Sequence, residues 1–388
     1  ALVGWLKGGL GHVNVVGSVV FAGMSGTAIA DAAGLGTIEI KAMKDHGYST
    51  EFAVGVTAAS ATLGPIIPPS LPFVIYGMMA NVSVGALFLA GILPGILMAV
   101  LMMLTVAFFA HKNGWGADVK FEWPKVIKAL AETAVVVGWP LSIWWMVTAL
   151  GTPAQITVFV ALIVLFAADK FFNFQAVLPI MTPVILIGGM TTGVFTPTEG
   201  AIAACVWAIA LGFFWYRTLN FKMFVKICLD TVETTATVLF IVAAASIFGW
   251  MLTATGVTTA ISSWVLGFTQ EPWVFLLLAN ALMLFVGCFL EPTAAITILV
   301  PVFMPIIAKL GIDPVHFGLV MILNLMIGLL TPPVGMVLFV LSRISKLSVE
   351  KTTLAILPWM IPLFLALGLI TFIPAITMWL PTQLGLIR

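Results

Sequence analysis

Gly64-Pro65-Ile66-Ile67-Pro68-Pro69-Ser70 and, further on, Gly328-Leu329-Leu330-Thr331-Pro332-Pro333-Val334-Gly335 share one frame. Gly23, Gly47, Gly64, Pro68 and Pro69 return as Gly287, Gly311, Gly328, Pro332 and Pro333, every pair 264 positions apart with no gap. Proline removes a backbone donor and clashes with the preceding turn. Each double-proline run therefore predicts a helix split into two halves joined by an extended stretch. A bilayer tolerates such a break only beside a cavity or within protein. Interrupted segments at corresponding positions of two halves point to a secondary transporter with its solute site near the membrane midplane.

Working outward, 62% of the residues are hydrophobic and 8% are charged, against about 25% charged in a soluble protein. This excludes an ordinary soluble protein and predicts an all-α polytopic membrane protein whose surroundings are the lipid bilayer. The net charge is +1, and no basic patch is interleaved with aromatics, so nucleic acid is not an expected partner. Cys205, Cys228 and Cys288 are scattered through apolar runs without CxxC spacing and read as core residues. His12, His46, His111 and His316 form no metal-ligand pair at i and i+4. No HExxH occurs and no GxSxG stands out, so an enzyme is not expected. No signal-peptide pattern opens the chain, and its first residue, Ala1, sets the expectation of a longer chain with further helices ahead of it.

A span needs about 20 apolar residues. Residues 84–110, 133–150, 155–168, 201–216, 234–253, 273–290 and 354–380 offer spans, whereas 10–40, 52–80, 285–307, with Glu291-Pro292, Pro301 and Pro305, and 316–342 carry breakers. The segments around Ser25 and Glu291 precede the double-proline runs at matching distances and read as re-entrant hairpins. Fourteen of the sixteen Lys and Arg fall on one face if the spans alternate, among them Lys7, Lys41, Lys44, Lys112, Arg343 and Lys351. That face is the cytoplasmic one. Lys41 and Lys44 follow the first hairpin, but Lys309 alone follows the second, so the two repeats are expected to have inverted topology. The loop from His111 to Lys120 reads as the cytoplasmic connection, and 133–168, with Trp139-Pro140 and Trp144-Trp145, as an additional helix pair.

Ionisable residues deep in apolar sequence default to functional hypotheses. Asp31 closes the run Gly23-Met24-Ser25-Gly26-Thr27-Ala28-Ile29-Ala30-Asp31, where hydroxyl and carbonyl oxygens supply the hard ligands a small cation prefers. The alternative is that Ser25 and Thr27 satisfy backbone at a hairpin tip while Asp31 caps a helix. Thr57, Ser60 and Thr62 precede the first break, Asn324 matches Ser60 under the shift, and Thr331 sits inside the second break. Matching polar residues beside matching breaks favour one ion site per repeat, against the reading that each hydroxyl bonds its own helix. Thr196-Pro197-Thr198-Glu199 is a capping box that starts a helix. Glu291-Pro292 begins a helix at the second tip or lends a carboxylate to a cation.

Together these stretches resemble the large membrane subunit of tripartite ATP-independent periplasmic (TRAP) transporters. The resemblance rests on Gly8-Gly9-Leu10-Gly11-His12-Val13-Asn14-Val15, the Gly23 to Asp31 run, Ala58-Ala59-Ser60 with Gly64 to Ser70, Phe195-Thr196-Pro197-Thr198-Glu199, Gly311-Ile312-Asp313-Pro314-Val315-His316-Phe317-Gly318, and Gly328 to Gly335. It implies an elevator-type carrier in which two hairpins and two broken helices move against a scaffold. It also implies Na+ coupling and import of an organic acid, of the sialic acid or C4-dicarboxylate type, across a bacterial inner membrane. The implied partners are a small four-helix membrane subunit and a periplasmic substrate-binding protein. The competing expectations are a stand-alone Na+/carboxylate carrier and an ion channel.

On this reading 1–8 ends a scaffold or arm helix, and 9–80 holds the first hairpin and first broken helix. Residues 81–180 are connecting helices with the cytoplasmic loop and extra pair, and 181–270 are the second scaffold and arm. Residues 271–345 hold the second hairpin and broken helix, and 346–388 a C-terminal helix. The candidate solute contacts are Ser25, Thr27, Asp31, Ser60, Pro68, Pro69, Ser70, Thr331 and Pro332. The candidate Na+ ligands are Ser60, Thr62, Gly64, Glu291, Thr293, Asn324, Gly328 and Thr331. No Lys or Arg lies in either break, so a solute carboxylate is expected to meet helix N-termini and backbone amides rather than a fixed cation.

Overall fold

A computed structural model describes residues 3–117 and 196–387, together with the isolated positions 123, 124, 178, 182 and 189. The expected helix pair at 133–168 and the basic residues Lys120, Lys125, Lys128 and Lys170 lie outside the described residues. Among the described residues the elements are all helical, apart from one isolated antiparallel pairing of Lys7 with Ala117. Five helices are long and apolar enough to cross a membrane: Val84–Lys112, Thr198–Trp215, Phe221–Leu252, Pro292–Lys309 and Val349–Phe372. The chain divides into two compact units, one of Ala1–Trp5 with Val119–Phe224 and one of Leu6–Asp118 with Val225–Arg388.

Within the second unit the chain runs through α1 (Gly9–Ser25), α2 (Ala28–Ala33), α3 (Leu35–Asp45), α4 (Thr50–Ala61), α5 (Leu71–Ala80) and α6 (Val84–Lys112). The first unit holds α7 (Pro197–Ala210), which continues as a π-turn over Leu211–Trp215. The expected capping box is present, with the Thr196 hydroxyl accepting from Glu199 N and the Glu199 carboxylate accepting from Thr196 N. The later elements are α8 (Phe221–Ala254), α9 (Val257–Phe268), α10 (Pro272–Gly287), α11 (Pro292–Lys309), α12 (Pro314–Gly328), α13 (Met336–Ser345), α14 (Val349–Phe372) and α15 (Ala375–Gln383).

Both double-proline runs interrupt helices, between α4 and α5 and between α12 and α13, and the Pro68-Pro69 and Pro332-Pro333 bonds are cis. The helix starts keep the sequence offset. Thr27 caps α2 and Glu291 caps α11, while Ser49 caps α4 and Asp313 caps α12. The helices that lead into the breaks form the core. Every residue of α4 from Phe52 to Ala61 and of α12 from Val315 to Gly328 is buried, as expected of helices apolar all round. α14 lies against α4 where Gly55 leaves room, since a side chain there would strike Trp359 and the Ala355 carbonyl.

Four expectations need correction. Cys205 and Cys228, expected in the core, are exposed, and Cys288 is half-buried. Residues 3–8 run as turns rather than the end of a helix, and Gly8 takes φ +75°, a left-handed conformation that ends helical continuity. Residues 354–380 do not form one helix. Pro374 disfavours helical geometry at the residue before it, and Ile373, at φ −122° and ψ 80°, separates α14 from α15. Pro301 and Pro305 do not break 285–307, because both stay inside a continuous α11. The interruption falls at 288–291, just ahead of the Glu291-Pro292 start that the sequence also marks.

One end of the unit gathers basic residues. Gly8 N donates to Gly116 O at 3.1 Å, Tyr48 and Phe52 both pack on Trp115, and Ser49, Phe52, Asn113 and Leu354 line one cavity. Lys7, Lys44, Lys112 and Lys351 are thereby placed on neighbouring chain segments.

Candidate functional site

The tip of the first hairpin lies against the first break. Gly26, at φ +62°, lets the chain turn there, and a Cβ on it would stand 2.9 Å from the Pro69 carbonyl oxygen. Leu71 N donates to Gly26 O at 3.4 Å, and Ser70 closes the break by donating to Pro65 O at 2.6 Å while capping α5 through Phe73 N. The Ser25 hydroxyl donates to Asp31 Oδ1, and Thr27 rather than Asp31 is the helix cap, accepting from Ala30 N at 3.3 Å. The alternative of Asp31 as a cap is thus not what the structure holds.

Asp31 is 2% exposed, and its second oxygen, Oδ2, has no hydrogen-bond partner. A buried carboxylate oxygen without a partner is costly. It faces the break, since a Cβ on Gly64 would lie 3.0 Å from Asp31 Oδ2 and 3.2 Å from Thr27 O. Glycine at position 64 keeps a carboxylate oxygen and a carbonyl oxygen together beside unwound backbone.

The other first-half candidates sit one turn deeper. Ser60, fully buried, donates to Asn14 Oδ1 at 2.8 Å and accepts from Ser18 at 3.0 Å. Asn14 Nδ2 donates to Glu39 Oε2 at 2.6 Å and to Thr57 Oγ1 at 2.8 Å. Thr62 bonds its own helix, donating to Ala59 O at 2.6 Å. Pro68 is buried and Pro69 half-buried.

At the second junction Gly287 and Gly328 meet backbone to backbone, and a Cβ on Gly328 would come within 2.6 Å of Gly287 Cα. Val334 N donates to Cys288 O at 3.2 Å, the Cys288 thiol lies 2.9 Å from the Thr331 hydroxyl, and Thr331 donates to Gly328 O at 2.7 Å. Glu291 caps α11 through Ala294 N at 3.2 Å and accepts from the Thr293 hydroxyl at 2.9 Å, so both its oxygens are engaged locally. Asn324 donates to Asn280 Oδ1 and Val320 O, both at 2.7 Å, and its own Oδ1 is buried without a partner. Pro332, Pro333 and Val334 are exposed, and α13 starts at Gly335 without a side-chain cap.

The structure therefore brings together Ser25, Thr27, Asp31, Gly64 and Pro69, and separately Gly328 and Thr331 with Gly287 and Cys288. Sequence reasoning missed Asn14 and Ser18, the partners of Ser60, and Glu39, which accepts from Asn14, as well as Cys288 and Asn280. Glu39, a lone carboxylate in the apolar run Ile38-Glu39-Ile40, carried the signal that would have found the first group. Among the described residues no three His, Cys, Asp or Glu cluster, and the polar groups at both junctions present mainly oxygen, the donor type that a hard cation prefers.

These features define a polytopic membrane protein in which two interrupted helices each receive the tip of a helical hairpin. The chain belongs to the tripartite ATP-independent periplasmic transporter family, DctM component, whose family model matches residues 1–376. It is 40% identical over 381 residues to the sialic acid TRAP transporter large permease protein SiaM of Vibrio cholerae, covering 98% of this chain and 79% of that one. It is 35% identical over 386 residues to the C4-dicarboxylate TRAP transporter large permease protein DctM of Pseudomonas aeruginosa, covering 100% and 80%. Against the sialic acid TRAP transporter permease protein SiaT of Haemophilus influenzae it is 36% identical over 384 residues, covering 99% of this chain and 55% of that one.

Proposed function

We propose that this protein imports an organic acid, of the sialic acid or C4-dicarboxylate type, by Na+ symport across a bacterial inner membrane. The names of its relatives support the solute class. The observation that carries the coupling is the buried, unpartnered Asp31 Oδ2 beside Thr27 O and Gly64. A carboxylate there repels an anionic solute and attracts a cation, so Asp31 belongs with the Na+ ligands rather than the solute contacts.

The solute's carboxylate is assigned to the other junction. The N-terminus of α5 has Leu71 N and Phe73 N engaged and Pro72 without a donor. That of α13 starts uncapped at Gly335 beside exposed Pro332, Pro333 and Val334. Uncapped amides and the positive end of the helix dipole attract anions.

In this reading the two hairpins and broken helices, 9–80 and 271–345, form an elevator-type transport domain of inverted repeats. The remaining helices form the scaffold, and the end that gathers Lys7, Lys44, Lys112 and Lys351 faces the cytoplasm. A small four-helix membrane subunit completes the permease, and a periplasmic binding protein delivers the solute. The test is uptake of labelled N-acetylneuraminate, succinate and malate into vesicles under an inward Na+ gradient, with and without the cognate binding protein. Uptake of one of these acids only with the binding protein is expected. Equal uptake without it would replace this reading with a stand-alone Na+/carboxylate carrier.

A further inference from the structure

The polar group around Asn14 has no counterpart where the 264-residue frame would put one. Asn14, Ser18, Glu39 and Thr57 correspond to Leu278, Leu282, Phe303 and Met321, and only Ser60 meets a polar residue, Asn324. In the second half Asn324 meets Asn280 of α10, and the place matching Glu39 is aromatic, with Phe303 packed edge-on against Phe275 and Phe317. A protein able to fill the position with a ring has instead placed a carboxylate there. Among the described residues Glu39 forms no ion pair, and its one hydrogen bond is the 2.6 Å bond from Asn14.

The hydrogen bonds run in one direction. Ser18 donates to Ser60, Ser60 to Asn14, and Asn14 to both Glu39 and Thr57. Glu39 is the terminal acceptor of this chain, held by Asn14 at 2.6 Å. Three elements are tied by this chain: α1 and α3, the two arms of the first hairpin, and α4, one turn ahead of the break. Gly17 makes room, since a Cβ there would stand 2.7 Å from Glu39 Oε1. Asp31 lies on α2, between the same two arms, and α4 leads to Gly64. Their relative position fixes the gap between the Asp31 carboxylate and the unwound backbone.

We propose that Glu39, acting through Asn14, is a positioning residue that sets the Na+ affinity of the Asp31–Gly64 site without touching the ion. The inference rests on the Na+ reading above. Its test follows the thermal unfolding of the full chain in detergent as NaCl replaces choline chloride at constant ionic strength. This reads Na+ binding without knowledge of the solute, because a ligand that binds the folded state raises the midpoint. Glu39→Gln, which keeps the shape, and Asn14→Leu, which installs the residue found 264 positions on, are compared with the wild type.

Both variants are expected to need at least about fivefold more NaCl for half-maximal stabilisation, the lower end of ordinary coupling between sites, and to reach it at high NaCl. A lower midpoint in choline with an unchanged NaCl requirement would show a structural role only and overturn the proposal. Complete loss of the Na+ response in Glu39→Gln would make Glu39 a ligand and overturn it equally. Should Asn14→Leu fail to fold, the near-isosteric Glu39→Gln decides alone. A wild type indifferent to Na+ would overturn both the coupling and this inference, whereas a responsive wild type with unshifted variants would overturn this inference only.

Discussion

The first break is closed and the second is open. Pro68 is buried, and Ile66 and Ile67 press on α6 where Gly91 and Gly95 leave no side chain in the way, whereas Pro332, Pro333 and Val334 are exposed. The hairpin tips differ as well. In the first, Asp31 turns a partnerless oxygen toward the break, and in the second, Glu291 spends both oxygens on Ala294 N and the Thr293 hydroxyl. One backbone plan thus supports a dry, anionic junction and an open one with uncapped helix amides. On the proposed reading of a carrier that moves Na+ with an anion, the buried pocket would strengthen attraction for Na+ while the open one would admit a bulky acid.

The sharpest way to break the comparison is to neutralise both tips. Asp31→Asn removes a buried charge with no substitute, and by analogy with breaking a buried ion pair it should cost about 3 kcal/mol of Na+ binding, or about 100-fold in affinity. Glu291→Gln should leave Na+ affinity unchanged and lose only about 1 kcal/mol of stability from the helix cap. Na+ titrations of thermal stability separate the two, and similar shifts would mean that the tips are equivalent. Alanine at the paired glycines gives a second contrast. Gly328→Ala drives a Cβ into the Gly287 backbone and should lower stability by about 3 kcal/mol, because two backbones cannot give way. Gly64→Ala meets the Asp31 carboxylate at 3.0 Å and the Thr27 carbonyl oxygen at 3.2 Å, milder contacts that should cost about 1 kcal/mol of stability while abolishing the Na+ response.

The interruptions at both double-proline runs were legible because proline and glycine act on the backbone of their own segment, whatever surrounds it. Thr27, Ser49, Glu291 and Asp313 kept the offset as helix caps for the same reason. What was not legible depended on partners distant in the chain. Ser60 looks like a ligand from its place beside the break, but Asn14, 46 residues earlier, takes up its hydroxyl. Glu291 and Asp31 look alike as lone carboxylates in apolar sequence, and only packing distinguishes the engaged one from the one left over. Pro301 and Pro305 were misread as breaks because a helix held by neighbours can absorb a proline.

The most direct test of the account is the initial rate of organic-acid uptake into vesicles that hold the wild-type permease with its binding protein, measured while external Na+ is replaced by choline at fixed osmolarity. The account predicts a saturable dependence on Na+ that falls to background in choline. Undiminished uptake in choline would contradict it, leaving the Asp31 carboxylate without the cation assigned to it.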